Sequence, residues 1–459
     1  MDETRRAALR ALLNPRSAAI VGASSTPGKL GHTIARNMID RGFRGTLHAI
    51  NPRESEILGL PVAKDLAALP EPVDLVVVAV PGDRVVPVIE QAVDRGAKGA
   101  IVVSAGFAEA SPEGTANEAR LREIAQRSGI ALVGPNCQGV ISVRGAVSAW
   151  FGPQPDHAGP GFFVSQSGGL AGTIVAWLNR REIGLFDTIV STGNKCAIDE
   201  ADLLAVCEDD DHIKFAMCYV EGFTEGRGRT FVEAARRLRQ RNKPVIVLKG
   251  GRSPAGGRAA SSHTGSLAGA DRVFAAAMRE AGVSLVEHIR DFINLGRLAA
   301  AQQPAPGNRV LILTNLGGPG VIAADLCEKA DLVVPETPKA LQDSLRGRVP
   351  RYCSTRNPID LAGDPAPERY GAILGEVYGA DAFDGILIIA APLAGAVQIA
   401  KDIVSAHASA AVPTAVCWMT TDEAGMAASK ILEVGGLPAY EMPEDAVAVL
   451  RAMLRSTAP

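Results

Sequence analysis

The sequence predicts an α/β chain of three doubly wound units, on three observations. Short apolar runs such as Leu75 to Val80, Pro244 to Leu248 and Gly385 to Ala390 recur along the chain, as parallel strands buried on both faces require. They alternate with segments of helical spacing. Strands also run repeatedly into glycine turns that open a helix, at 22–31, 168–169 and 317–320. The 459 residues exceed what one core serves, so about three domains are expected.

The first unit opens with a strand at Ala18 to Val21, then the turn Gly22-Ala23-Ser24-Ser25-Thr26-Pro27-Gly28-Lys29-Leu30-Gly31 and a helix carrying Ile34 and Met38. Glycines there let the backbone approach a phosphate, and the helix start aims N–H donors at it. The second strand ends in Asn51-Pro52-Arg53, where NAD would call for an acid; Arg53 suits a phosphate and disfavours NAD. The turn also fails as a P-loop, because Leu30 stands where Ser or Thr would hold magnesium. Further strands end near Pro81, Ser104 and Asn136, lining the edge where open sheets bind ligands, with a helix expected from about Glu118 to Arg127.

The second unit starts with Phe162 to Ser165 and a helix start at Ser167-Gly168-Gly169, another anion cradle. Strands at Leu185 to Ser191, Ile213 to Val220 and Pro244 to Leu248 follow. The glycine-rich stretch 249–269 reads as a mobile loop carrying His263. Adjacent strand ends bring together Glu221, Ser165, Ser167 and this loop: a carboxylate, an imidazole and an anion cradle. A Pro-rich linker at 301–308 leads to the third unit, whose first strand runs into Asn315-Leu316-Gly317-Gly318-Pro319-Gly320. The expected domains are therefore 1–145, 160–300 and 308–459.

Composition limits the function classes. A net charge of -3 and 21% charged residues give no hint of nucleic-acid or membrane-surface binding, and no apolar run is long enough to span a bilayer. Seven cysteines without close pairs exclude a Cys-x-x-Cys metal or redox site and fit free thiols in the cytoplasm, so no metal is expected on this chain.

Five segments in order, Gly134-Pro135-Asn136-Cys137, Val164 to Gly169, Val220-Glu221-Gly222, Ser262-His263-Thr264-Gly265 and Thr314 to Gly320, resemble the alpha subunit of NDP-forming acyl-CoA synthetases, relatives of succinyl-CoA synthetase. The resemblance covers nearly the whole chain. It implies a Rossmann-like CoA-binding domain followed by two flavodoxin-like ligase domains. His263 is then the phosphorylated histidine, Glu221 its orienting carboxylate, and Ser165, Ser167, Gly168, Gly169, Asn315, Gly317, Gly318 and Gly320 the groups that stabilise the phosphohistidine.

The CoA set becomes Gly22, Ser24, Ser25, Pro27, Gly28, Lys29, Leu30, Asn51, Pro52, Arg53, Val80, Pro81, Ser104, Ala105, Gly106, Asn136 and Cys137. Because no stretch resembles an ATP-grasp domain, the resemblance also implies a separate ATP-grasp beta subunit binding ATP or ADP with Mg, in an α2β2 assembly. The reaction implied is acyl-CoA, phosphate and ADP going to carboxylic acid, CoA and ATP through an acyl phosphate. Two alternatives are a non-catalytic CoA-sensing protein of the same fold and an NAD(P)-dependent oxidoreductase. Retention of both His263 and Glu221 argues against the former.

Overall fold

The computed structural model describes residues 3–264, 271–363, 365–392, 394–420 and 422–455; of Thr4, residues 261–264 and Arg455 only the backbone is described. The chain forms two compact units, 1–287 and 288–459.

Seven strands build the first sheet: β1 (Ser17–Val21), β2 (Thr46–Ile50), β3 (Glu56–Ile57), β4 (Leu60–Ala63), β5 (Leu75–Val78), β6 (Gly99–Val102) and β7 (Ala131–Val133). Their order is β3-β4-β2-β1-β5-β6-β7, parallel except for β3. Strands β1, β5, β6 and β7 are buried throughout, apart from the half-buried Ser17, which their Val, Ile, Leu and Ala content permits. Strand order switches sides between β1 and β5, so the connections at their C-terminal ends run to opposite faces and leave a crevice.

Helices α1 (Glu3–Leu13), α2 (Leu30–Asp40), α3 (Val85–Asp94) and α4 (Pro112–Ser128) belong to this part of the chain. Helix α4 starts well before the expected Glu118. Ser111 accepts the Gly114 N–H, Pro112 stands in the first turn, and Gly129 closes the helix at φ +77.

The second sheet contains β8 (Gly139–Ser142), β9 (Val147–Trp150), β10 (Gly161–Ser165), β11 (Phe186–Ser191), β12 (Phe215–Val220), β13 (Val245–Lys249) and β14 (Ser284–Val286), in the order β14-β13-β12-β10-β11-β8-β9. The β8–β9 hairpin, which directly follows the first sheet, pairs antiparallel with β11 and ties the two sheets into one unit. Here the strand order switches sides between β10 and β12. Helices α5 (Gly168–Asn179), α6 (Glu200–Cys207), α7 (Arg227–Gln240), α8 (Pro254–Thr264) and α9 (Asp271–Ala281) connect these strands.

Helix α8 corrects the expectation of an unbroken loop over 249–269. Ser253 accepts the Gly256 N–H at 3.1 Å and Pro254 occupies the first turn. Gly256 and Gly257 therefore fall in the first turn, where their cost of roughly 1 kcal/mol each in a helix interior is least felt. Residues 265–270 lie outside the described residues.

The second compact unit begins at His288 and includes α10 (Ile289–Ala301). Its sheet has β16 (Val310–Thr314), β17 (Ile359–Asp360), β18 (Gly385–Ala390), β19 (Thr414–Trp418) and β20 (Ala439–Tyr440) in the all-parallel order β17-β16-β18-β19-β20. A two-stranded pair, β15 (Ala305–Pro306) with β21 (Leu454–Arg455), stands apart. Helices α11 (Gly317–Lys329), α12 (Lys339–Arg346), α13 (Glu368–Gly379), α14 (Ala396–His407), α15 (Glu423–Val434) and α16 (Pro443–Met453) complete it.

The buried Arg297 of α10 pairs with Glu433 and donates to the Ala439 carbonyl, and Gln302 exchanges hydrogen bonds with Thr414 across the sheet end. These polar anchors hold α10 to the end of the second unit's sheet. Asp384 holds the linker itself: it accepts from the backbone N–H groups of Asn308 and Arg309 and from the Arg309 guanidinium. The Arg309 bonds keep its carboxyl below the ordinary value of about 3.9. A depressed carboxyl stabilises the fold above its unfolded value and loses that contribution as pH falls through the folded one. Asp384→Ala leaves two backbone donors without their acceptor and costs about 1–3 kcal/mol in chemical unfolding near neutral pH. The gap between variant and wild type narrows below about pH 4; an equal gap at about pH 3 and about pH 7 contradicts this account.

Candidate functional site

Strand ends β2, β1, β5, β6 and β7 lie side by side, so the proposed CoA residues come together on one edge of the first sheet. Gly22 has φ +91, and a Cβ at Gly31 would sit 2.0 Å from the Gly22 carbonyl oxygen, so the turn and the start of α2 close only with glycine at both positions. No side chain caps α2 at Lys29. Its first-turn N–H groups remain available to an anion. Ser25, Pro27, Gly28, Lys29, Leu30, Pro52, Arg53, Pro81, Ala105 and Gly106 are exposed along this edge, and Asn51, Val80 and Asn136 partly so.

Other members of the set support the edge from behind. Ser24 is buried, and its hydroxyl accepts from Thr26 N–H and donates to Glu54. The Ser104 hydroxyl donates to the Val80 carbonyl at 2.5 Å. Cys137 is 3% exposed with its thiol on the Val102 carbonyl, and burial pushes its pKa up to about 12.

One premise of the sequence reading needs correction. An acid does stand beside the turn: Glu54 accepts from Ser25 N–H at 2.9 Å and from Asn51 Nδ2 at 3.2 Å. Those Ser25 bonds keep its carboxyl below the ordinary range. The spacing concealed Glu54 because the chain folds back from β2 toward the turn.

On the second sheet, Ser165, Ser167 and Glu221 stand at the ends of the neighbouring strands β10 and β12. Ser167 caps α5 by accepting the Leu170 N–H at 3.3 Å, leaving Gly168 and Gly169 at the open helix start. A Cβ at Gly168 would lie 2.6 Å from that of Gln138, so the cradle requires glycine there. Ser165 is fully buried and its hydroxyl donates to the Ser167 carbonyl; it shapes the turn instead of facing a ligand. Glu221 follows β12 directly, and Tyr219 Oη donates to its Oε1 at 3.2 Å. Burial and the Glu221 charge push the Tyr219 hydroxyl up to about 12, so it stays a donor at neutral pH. His263 belongs to α8 by its backbone, but its side chain lies outside the described residues.

Residues with no role assigned from the sequence also surround Glu221. Lys249, at the end of β13, donates to the Glu221 carbonyl at 2.6 Å, and burial lowers its pKa. Gln166 Oε1 accepts the Glu221 N–H at 2.8 Å, and Lys195 donates to that same oxygen. A polar residue at a buried strand end is the signal that could have found Lys249 and Gln166; Lys195, remote in sequence, offered none.

In the second unit, Gly317 and Gly318 form the exposed start of α11, which no side chain caps. Asn315 is buried and bonded to Gly363 and Ala391, bracing the strand ends around the β16/β18 crevice. Gly320 stands where a Cβ would come within 2.9 Å of Thr314 Cγ2.

Three family models cover the chain in order: a CoA binding domain at 16–142, a succinyl-CoA ligase like flavodoxin domain at 158–299 and a ligase-CoA domain at 310–458. The alpha subunit of ADP-forming acetate–CoA ligase I from Pyrococcus furiosus is 35% identical over 456 residues, 97% of each chain. The chain belongs to the family of NDP-forming acyl-CoA synthetase alpha subunits.

It is also 36% identical over 444 residues to ADP-forming acetate–CoA ligase I of Archaeoglobus fulgidus, covering 97% of this chain and 63% of that longer protein. Among solved structures, acetyl-coenzyme A synthetase 1 of Candidatus Korarchaeum cryptofilum, determined with phosphate and ADP, superposes with a TM-score of 0.90 at 32% identity, over 97% of this chain and 96% of that one. No helix among the described residues of the synthetase chain is long and apolar enough to cross a membrane.

Proposed function

We propose that this alpha subunit carries CoA chemistry and phosphoryl transfer for an ADP-forming acid–CoA ligase. The observation that carries this is the β10/β12 crevice, where a carboxylate, Glu221, and the glycine start of α5 stand at neighbouring strand ends, with the His263 helix following β13. Phosphate attacks the thioester carbonyl of acyl-CoA, giving an acyl phosphate and free CoA. An imidazole nitrogen of His263 then attacks phosphorus, releasing the carboxylate, while Glu221 holds the proton on the other nitrogen. Ser167 and the N–H groups of Gly168 and Gly169 receive the phosphoryl charge, and the start of α11 at Gly317 and Gly318 offers a second receptor of the same kind. Finally the phosphoryl group passes to ADP.

The nucleotide step requires a beta subunit, which we read as an ATP-grasp chain binding Mg and ADP in an α2β2 assembly. The relative named as a subunit alpha supports the need for a partner. The free cysteines support a cytoplasmic setting.

Incubating the chain with acetyl-CoA and labelled phosphate, or with partner and labelled ATP, yields label that acid removes and alkali does not, as phosphorus on nitrogen behaves. Acid-stable label, or none under either condition, overturns the reading. The chain alone neither hydrolyses ATP nor makes acyl-CoA from it; robust activity of the pure chain contradicts the partner requirement.

At the CoA edge, Arg53 is exposed beside the glycine turn. Arg53→Glu sets a carboxylate near the CoA nucleotide phosphates and weakens CoA binding on the order of 10-fold, with a shallower salt dependence. Unchanged affinity by calorimetry removes Arg53 from the site.

A further inference from the structure

If Glu221 orients His263, its main chain must be held where the strand ends, and this inference rests on that reading. Three buried polar groups do so. Gln166 Oε1 takes the Glu221 N–H at 2.8 Å, Lys249 Nζ donates to the Glu221 carbonyl at 2.6 Å, and Lys195 Nζ donates to the next carbonyl, Gly222, at 2.5 Å. Lys195 also donates to Gln166 Oε1 at 3.1 Å and to Glu200 at 3.0 Å. All three ammonium protons have acceptors, so the lysine has one satisfied geometry.

The Lys195 and Glu200 side chains are 3% and 1% exposed. Burying such a pair seldom stabilises a fold beyond what apolar residues of similar size would give. Its effect here is geometric. Lys195 rises from a loop laced to the first sheet's edge: Asn194 N–H bonds Pro135, Cys196 N–H bonds Gly134, Ile198 N–H bonds Leu132, and the Asn194 side chain bonds Glu109 and Glu118. Thr192 N–H bonds the carbonyl of Ser165 at the end of β10. The ammonium therefore projects from a fixed frame onto the Gly222 carbonyl, just after Glu221, and onto the Gln166 oxygen that accepts the Glu221 N–H.

We propose that Lys195, paired with Glu200 and acting through Gln166 and Gly222, is a positioning residue that sets Glu221 for catalysis. Displacing a catalytic group by about 1 Å costs on the order of 10²-fold, so loosening this clamp slows phosphoryl transfer without touching the reacting atoms.

Two variants test it in the full chain with its partner: Gln166→Met, which removes the acceptor and keeps the ion pair, and Lys195→Met combined with Glu200→Gln, which leaves no buried charge unpaired. Each is also made in a Glu221→Gln background. The readouts are single-turnover labelling of the chain from ATP, CoA affinity and melting temperature. With Glu221 present, both variants slow labelling on the order of 10-fold or more; in the Glu221→Gln background the same changes add less than about twofold, because they act through the carboxylate. CoA affinity stays within about twofold of wild type.

Equal losses in both backgrounds mean a general structural role and overturn the proposal. Slow labelling by Glu221→Gln alone, with Gln166→Met and the Lys195/Glu200 variant at wild-type rate, overturns the clamp while leaving the Glu221 reading intact. Wild-type labelling by Glu221→Gln overturns both.

Discussion

Exchange of His263 for Asn abolishes acyl-CoA synthesis with the partner subunit, a loss on the order of 10⁴-fold or more, because the group that carries phosphorus between acyl phosphate and nucleotide is gone. CoA binding stays near wild type, since the CoA edge belongs to the first sheet and His263 follows β13 of the second. The first half-reaction survives as well. Acetyl-CoA and phosphate can still exchange CoA for an acyl phosphate without the histidine, and hydroxylamine traps the product as the hydroxamate. A variant that keeps overall synthesis, or that loses CoA binding along with it, contradicts the assignment.

Glu221→Gln lowers turnover on the order of 10²-fold with little change in fold. The amide retains an acceptor for the Tyr219 hydroxyl and both backbone bonds, to Gln166 and Lys249, but lacks the charge that supports an imidazole proton as the ring becomes a nucleophile. The loss falls on kcat, because Glu221 contacts neither CoA nor the nucleotide in this scheme. Combined with His263→Asn it adds nothing measurable, since both changes disable one step. A twofold effect in single-turnover labelling would remove Glu221 from the catalytic group.

Most elements were legible because their signals are local. Buried parallel strands need continuous apolar runs, and β5, β13 and β18 lie within or next to the runs that announce them. Two helices differ from expectation for one reason: the Ser-Pro starts at Ser111-Pro112 and Ser253-Pro254 outweigh apolar spacing in the first case and glycine content in the second. Glycine in a first turn costs little once serine caps it, so α8 forms where the composition speaks for a loop.

By itself the sequence determined the α/β class, the order of the three main sheets along the chain, and the glycine turns that open α2, α5 and α11. Each of these depends on residues adjacent in the chain. Tertiary structure alone decided which polar side chains serve the site and which serve the frame. Ser165, Asn315 and Cys137 turned inward to satisfy buried backbone groups, Glu54 folded back onto the CoA turn, and Lys195 arrived beneath Glu221 from a loop built on the other sheet. Those outcomes depend on hydrogen bonds between residues far apart in the chain. A buried donor or acceptor must find its partner wherever the fold brings one, and no local spacing encodes that partner.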